Sequence, residues 1–373
     1  MLKNIVTKLQ KLGILTKTKT GKIDYILLVI TIILIILGIL ILASASVHIS
    51  TQLLKRQVLF ALLPGLVLAF IAFKLNLAFL KRIAPILLLI NLVLLGMVFI
   101  PGIGVEAWGA TRWIDIGPIS FQPSEFLKIT FILYLASWLT EKNKNKKDQN
   151  QNLIIFLIII GLISLFLILQ PNLSTLLIIL FAAVLMYFLA STPFWHIFLF
   201  FLLGLTSLMA LIKIAPYRLE RLFVFLNPGI DPMGMGFQIK QALIAIGSGG
   251  LLGTGLGMGI QKFGFLPGAA NDSIFAIFAE ETGFIGSIIL ISLFLLFLWR
   301  GFKIGQLNQD QFSQLTAYGI TGWIIIQTFV NIGSMIGILP LTGVPLPFIS
   351  QGGSSLITTL VGVGILLNIS QPK

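Results

Sequence analysis

The chain has 373 residues, 57% of them apolar and only 10% charged, and its mean hydropathy is +1.05. A soluble domain carries about a quarter charged residues, and a water-facing surface cannot hide this much apolar side chain. The composition excludes a cytosolic enzyme, a secreted domain, a disordered chain and a conventional nucleic-acid binder, and it points to an all-α polytopic membrane protein.

The first 23 residues hold six lysines, with Leu2, Ile5, Val6, Leu9 and Leu12 at helical spacing. This pattern predicts a cationic amphipathic segment lying on a membrane surface. The apolar run Tyr25–Leu42 then ends in Ala43-Ser44-Ala45, which imitates a signal-peptide cleavage site. The run is too long for a signal core and more spans follow, so it reads as a retained first helix. A crossing needs about 20 apolar residues. On that rule the sequence predicts about ten transmembrane helices, over 24–46, 58–73, 83–101, 125–140, 153–170, 173–190, 194–214, 273–299, 313–338 and 353–370. These make one membrane domain, 24–370, with loops 102–124 and 215–272 on one side; the large loop joins helices seven and eight. With the N-terminus inside, 16 of the 25 Lys and Arg fall on inner segments and 7 on outer ones. The positive-inside rule then puts both termini in the cytoplasm. The net charge of +13 follows from that bias and from attraction to anionic lipid. With no cysteine and only His48 and His196, neither a disulfide framework nor a His-rich metal site is available.

Arginine runs against the inner bias. Arg56, Arg112, Arg218 and Arg221 lie on outer segments, while the inner loops use lysine. A guanidinium grips phosphate or carboxylate through a planar fork, so an anionic partner on the outer face is expected. In the first loop, Trp108 and Trp113 flank Arg112; an aromatic belt with a snorkelling arginine accounts for them equally well. Pro123 and Glu125 make a good helix start. Glu125 and Lys128 share a helix face and either pair with each other or line a polar cavity. In the second loop, Arg218 and Arg221 project together from one helical turn. The glycine run Gly247–Gly259 has neither a Walker A nor a dinucleotide-binding spacing. It is either flexible backbone near the membrane or a set of amides open to an anion. Asp272 precedes the eighth span and is either a helix N-cap or an ionised base at a helix mouth. In the second role its low basicity needs help from desolvation or a metal. Glu280 and Glu281 lie inside an apolar stretch and demand partners. The Pro/Gly-rich run 343–355 reads as a rigid re-entrant turn.

Six motifs occur in order: GATRWIDIG, QPSEFLK, RLERLFVFLNP with DPMGMGFQ, AIGSGGLLGTGLG, DSIFAIFAEETGFIG, and NIGSMIGILPLTGVPLPFISQGGSS. Together they closely resemble the FtsW/RodA/SpoVE (SEDS) family of cell-wall glycosyltransferases over about residues 25–370, nearer the FtsW and SpoVE side. The resemblance implies a polymerase that joins lipid II into β-1,4 glycan at the outer membrane face. It implies Asp272 as catalytic residue, with Arg112, Glu125 and Lys128 at matching family positions; the outer cations Arg218, Arg221 and Lys262, and Ser350 and Ser354 of the Pro/Gly-rich turn, complete the substrate-binding candidates. Its implied partners are lipid II and the undecaprenyl-diphosphate-linked glycan, a class B penicillin-binding protein (the transpeptidase), and other divisome or elongasome membrane proteins. A divalent cation, Mg or Mn, is the one cofactor to consider. The alternatives are a lipid II flippase and a non-catalytic divisome scaffold. The sequence departs from the family at Asn172, Ser174, Gly268, Asn271 and Gln351.

Overall fold

The structure is a computed structural model that describes residues 10, 13–14, 23–47, 51–107, 110–116, 119–142, 149–190, 195–214, 217–231 and 233–371. The amphipathic N-terminal segment expected over 1–23 lies almost wholly outside these residues, as do Trp108 and most of the loop after Glu141.

The described chain is mainly helical. Helix α1 (Tyr25–Ser46) is followed by α2 (Thr51–Gln57), which passes through a π-helical turn (Val58–Leu62) into α3 (Leu63–Lys74). Helix α4 is Leu77–Met97. After a small sheet come α5 (Pro123–Lys142), α6 (Gln149–Leu169), α7 (Leu173–Leu189) and α8 (Trp195–Ile214). Short helices α9 (Tyr217–Leu226) and α10 (Met235–Ser248) lead into α11 (Ile274–Gln306), α12 (Gln311–Met335) and α13 (Gly353–Ile369). Each of the ten apolar stretches read from the sequence falls on one of these helices. By length and composition, five are able to cross a membrane: Tyr25–Ser46, Gln52–Lys74, Leu77–Met97, Ile274–Gln306 and Gln311–Met335. Three shorter apolar helices cover Leu153–Leu169, Leu173–Leu189 and Gly353–Ile369. The protein is a multi-pass membrane protein.

Helix starts follow local chemistry. The Asp24 carboxylate accepts from Leu27 N at 2.9 Å, Asn76 from Ala78 N at 3.0 Å, and Asp310 from Ser313 N at 3.1 Å. Each satisfies an amide that the first helical turn leaves without a partner. Helix α12 forms the centre, with 72% of its apolar window buried, against 28% for α4. It packs on α5, α7, α11 and α13, while α13 lies along α3. Gly364 permits that last approach, because a side chain there would strike the Ala69 carbonyl. Small residues let membrane helices close to backbone contact in this way.

Two expectations are corrected. The chain is not wholly α. Residues 104–121 form a three-stranded antiparallel sheet of β1 (Gly104–Ala107), β2 (Ala110–Ile116) and β3 (Ile119–Phe121), with Val105 opposite Trp113 and Ile114 opposite Phe121. Short β-branched runs between glycines and prolines carry little periodic signal. The long segment 215–272 is not simply a loop either, since it contains α9 and α10.

Helix α11 is broken near its start. Gly283 has φ +68° and ψ −165°, and the backbone of Gly253 and Leu251 fills the space a side chain would need. The first two turns of α11 are thus set off from the rest, and the glycine-rich segment 249–262 lies against the break.

Candidate functional site

Asp272 sits immediately before α11, with Ser273 in the N-cap position; Ser273 makes no side-chain capping bond. The Asp272 side chain is half-buried. Gln238 of α10 donates through Nε2 to Asp272 Oδ2 at 3.3 Å and to Ser273 Oγ at 2.9 Å. Ser273 in turn donates to the Pro267 carbonyl at 2.8 Å. A side chain on Gly268 would collide with Asp272 Oδ1, so a glycine here makes room for the carboxylate. Desolvation by burial is the largest influence on Asp272 and raises its pKa above the ordinary aspartate value. The amides of Asp272 and Ser273 and the Gln238 side chain pull in the opposite direction and are outweighed. Asp272 is thus not itself the N-cap of α11, a position that Ser273 holds.

The loop carrying Asp272 is fixed from below. Asn331 of α12 donates through Nδ2 to the carbonyls of Asp272 and Val344, both at 2.7 Å. Ser350 donates to the Asn271 carbonyl at 2.5 Å and accepts from Leu346 N at 2.8 Å. Gln351 N reaches the Ala270 carbonyl at 2.9 Å. The Pro/Gly-rich run 343–355 is thus a shelf beneath Asp272. Phe348 within it holds φ +66°, a strained conformation for a side-chain-bearing residue.

One helical turn from Asn331, Gln327 ties the same shelf to the second polar group. Lys128 Nζ lies 2.8 Å from Glu125 Oε2 and 2.8 Å from Gln327 Oε1. Trp323 Nε1 donates to the same Gln327 oxygen at 2.8 Å, and Gln327 Nε2 donates to the Pro345 carbonyl at 2.9 Å. Glu125 and Lys128 are buried, with side-chain exposures of 5% and 1%. They pair with each other, as one of the two sequence readings has it. Gln238, Gln327 and Asn331 were not singled out from the sequence. The signal was there: two amides four residues apart in an apolar span share one face.

The remaining candidates separate. Arg112 on β2 donates through Nε to the Gln170 carbonyl at 3.0 Å and through Nη2 to the Pro171 carbonyl, clasping the turn between α6 and α7. Asn172 in that turn and Ser174 at the start of α7 are also engaged, with Ser124 Oγ at 3.0 Å and the Thr342 carbonyl at 2.6 Å. Arg221 is exposed on α9; Arg218 lies on the same helix, and its side chain falls outside the described set. Ser354 accepts from Gln122 N at 3.0 Å, so it and Ser350 are both engaged in internal ties.

Lys262 is a clear correction. It is buried, 2.7 Å from Glu281 Oε1, and it also donates to Ser44 Oγ and the Gly257 carbonyl, each at 2.7 Å. The glycine run is corrected with it. Its amides do not wait for an outside anion: Gly257 N donates to Glu281 at 3.0 Å and Ile260 N to Glu280 at 2.8 Å. Thr254 N and Gly255 N take the backbone carbonyls of the same two glutamates. A buried carboxylate must be matched by donors, and this loop supplies them.

Among the described residues, no group of three His, Cys, Asp or Glu side chains could hold a metal ion.

A family model described as "Cell cycle protein" (FtsW, RodA, SpoVE) matches residues 24–373. Stage V sporulation protein E of Bacillus subtilis is 39% identical over 361 residues, covering 95% of this chain and 98% of its own. A probable peptidoglycan glycosyltransferase FtsW of Nitrosococcus halophilus is 41% identical over 364 residues, covering 94% of this chain and 92% of its own. Among solved structures, a chain from a peptidoglycan synthase complex, described for its coordination of polymerization and crosslinking, superposes with a TM-score of 0.76. It shares 31% identity and covers 93% of this chain and 97% of its own. The rod shape determining protein RodA of Thermus thermophilus gives a TM-score of 0.69 at 31% identity, with coverage of 93% and 96%. The chain belongs to the FtsW/RodA/SpoVE family of membrane proteins.

Proposed function

We propose that this protein is a peptidoglycan glycosyltransferase that polymerises lipid II into β-1,4 glycan strands. It would act at the outer face of the cytoplasmic membrane, with ten crossings and both termini in the cytoplasm. The observation that carries the reading is Asp272: a half-buried carboxylate at a helix mouth, with its pKa raised by desolvation. Relatives named as probable peptidoglycan glycosyltransferases support it. A general base works best when its pKa approaches the operating pH, and burial moves Asp272 in that direction.

In this mechanism Asp272 takes the proton from the 4-hydroxyl of the incoming lipid II sugar. The oxygen attacks the anomeric carbon at the reducing end of the growing strand, and the bond to the lipid diphosphate breaks. Attack opposite an α-linked diphosphate inverts the centre and gives the β-linkage. The leaving group is already activated, so one base suffices where a two-carboxylate hydrolase needs an acid as well. Arg218 and Arg221 on α9, with Arg112 on the sheet, are the cations proposed to meet the diphosphate. The Glu125–Lys128 pair, through Gln327 and the 343–355 shelf, acts as a positioning group. A class B penicillin-binding protein is the proposed partner, supported by the synthase-complex neighbour.

A flippase needs polar groups along a path through the membrane, and Glu280 and Glu281, inside an apolar helix, are the candidates for it. Both are engaged by the glycine loop, and Lys262 pairs with Glu281, which supports the polymerase over the flippase. The scaffold alternative has no observation in its favour. Purified protein, partner transpeptidase and lipid II in detergent micelles separate the three, because micelles have no sides. Glycan product supports the polymerase; folded protein that yields none while moving lipid II across vesicles would replace it with the flippase.

A further inference from the structure

No charge occurs between Lys240 and Lys262. Within this stretch Leu251 is 70% exposed, Leu252 79%, Leu256 65%, Met258 71% and Ile260 65%. A contiguous apolar display of this kind marks an interaction surface. We propose that the glycine loop is an interfacial membrane anchor, its apolar tips lodged among lipid acyl chains at the edge of the hydrocarbon core.

Three observations choose lipid over a water-soluble partner. The first is depth. At one end of the bundle Asp24 pairs with Arg300 at 2.7 Å, and Lys262 bridges Ser44 to Glu281 at the other. Counting along α1 from Asp24 to Ser44 gives about 30 Å at about 1.5 Å per residue, and the unbroken part of α11, from Arg300 back to Phe284, gives about 24 Å. The α1 length is about the thickness of a bilayer's hydrocarbon core. The length of α1, with α11 paired to it at both ends, thus puts the glycine loop at the hydrocarbon boundary.

The second is continuity. Phe284 N and Ile285 N donate to the carbonyls of Gly250 and Leu251, so the loop is stitched to the outward side of α11. Phe284 and Ile285 are themselves 60% and 50% exposed, on a helix long and apolar enough to cross a membrane. The loop's leucines extend that lipid-facing surface.

The third is backbone satisfaction. Irregular backbone is tolerated at membrane depth only when its polar groups are satisfied from within. Glu280 and Glu281 take the amides of Thr254, Gly255, Gly257, Ile260 and Gln261 through their carbonyls and carboxylates. The two glutamates that looked out of place in an apolar helix are thus what fits this loop for lipid. The inference rests on α1 and α11 crossing a bilayer and is independent of the chemistry proposed at Asp272.

The chain has no cysteine, so single labels are simple to place. Leu252→Cys and Leu256→Cys, each carrying an environment-sensitive fluorophore, are reconstituted as the full chain in phosphatidylcholine/phosphatidylglycerol nanodiscs. Gln306→Cys at the far end of α11 is the water-exposed control. Brominated acyl chains should quench most of the emission at 252 and 256, and aqueous iodide almost none, with the reverse at 306. Iodide quenching at 252 and 256 equal to that at 306 would overturn the anchor and make the loop a water-facing surface. Quenching by neither agent would also overturn it, since the loop would then be covered by protein.

Discussion

Replacing Lys262 with methionine tests whether this lysine faces substrate or holds the fold. Its ammonium makes three contacts of 2.7 Å, and the Lys262 and Glu281 side chains are 2% and 0% exposed. Lys262→Met keeps the volume and removes the charge, leaving the Glu281 carboxylate buried with only the Ser44 hydroxyl and the Gly257 amide. Breaking one side of a buried ion pair costs about 3–5 kcal/mol. At about 2 °C per kcal/mol for a chain of this size, the melting temperature should fall by roughly 6–10 °C. Replacing both partners, as in Lys262→Met with Glu281→Gln, removes the stranded charge and should restore most of the loss. The assay is thermal unfolding in detergent, with glycan synthesis measured well below the lower melting temperature. If Lys262→Met melted like the parent yet lost synthesis, Lys262 would belong to the substrate site and the structural reasoning would be wrong.

Burial raises the Asp272 pKa, so its proton-accepting form appears only as pH climbs through that raised value. The acid limb of the pH–rate curve should lie above the ordinary aspartate value. Gln238→Leu removes a donor that favours the charged form and should move the limb higher still. By linkage, a carboxyl with a raised folded-state pKa stabilises the fold at low pH and loses that contribution as pH rises through the folded value. Asp272→Asn should therefore melt no lower than the parent at neutral pH. Gly268→Ala puts a methyl group against Asp272 Oδ1 at φ +66°, where backbone strain adds about 1–2 kcal/mol. Turnover at saturating lipid II should collapse, while the melting temperature drops only a few degrees. Asn331→Leu strands two buried carbonyls at about 1–3 kcal/mol each. It should lower both stability and turnover but leave the acid limb in place, because Asn331 holds backbone and not the carboxylate.

The sequence was informative wherever the signal is local. Apolar runs marked the helices, Pro123 and Glu125 marked the start of α5, and Asp272 stood out as a carboxylate before a span. It was uninformative where partners are distant along the chain. Nothing near Gly257 announces that its amide meets Glu281, and nothing near Lys262 announces Ser44. The sheet at 104–121 was missed because its strands are short and broken by glycine and proline. Of α9 only the turn carrying Arg218 and Arg221 is legible, and α10 is hidden by the glycine run that follows it. Gln327 and Asn331 leave the average of their apolar span unchanged and show only in the face their two amides share.

The account stands most directly on glycan synthesis by Asp272→Asn. Parent and variant are purified with the partner transpeptidase, checked for equal melting temperature and partner binding, and given lipid II in detergent. The account predicts polymer from the parent and none from the folded, partner-bound variant. Polymer at the parent's rate from Asp272→Asn would contradict it and move the base elsewhere.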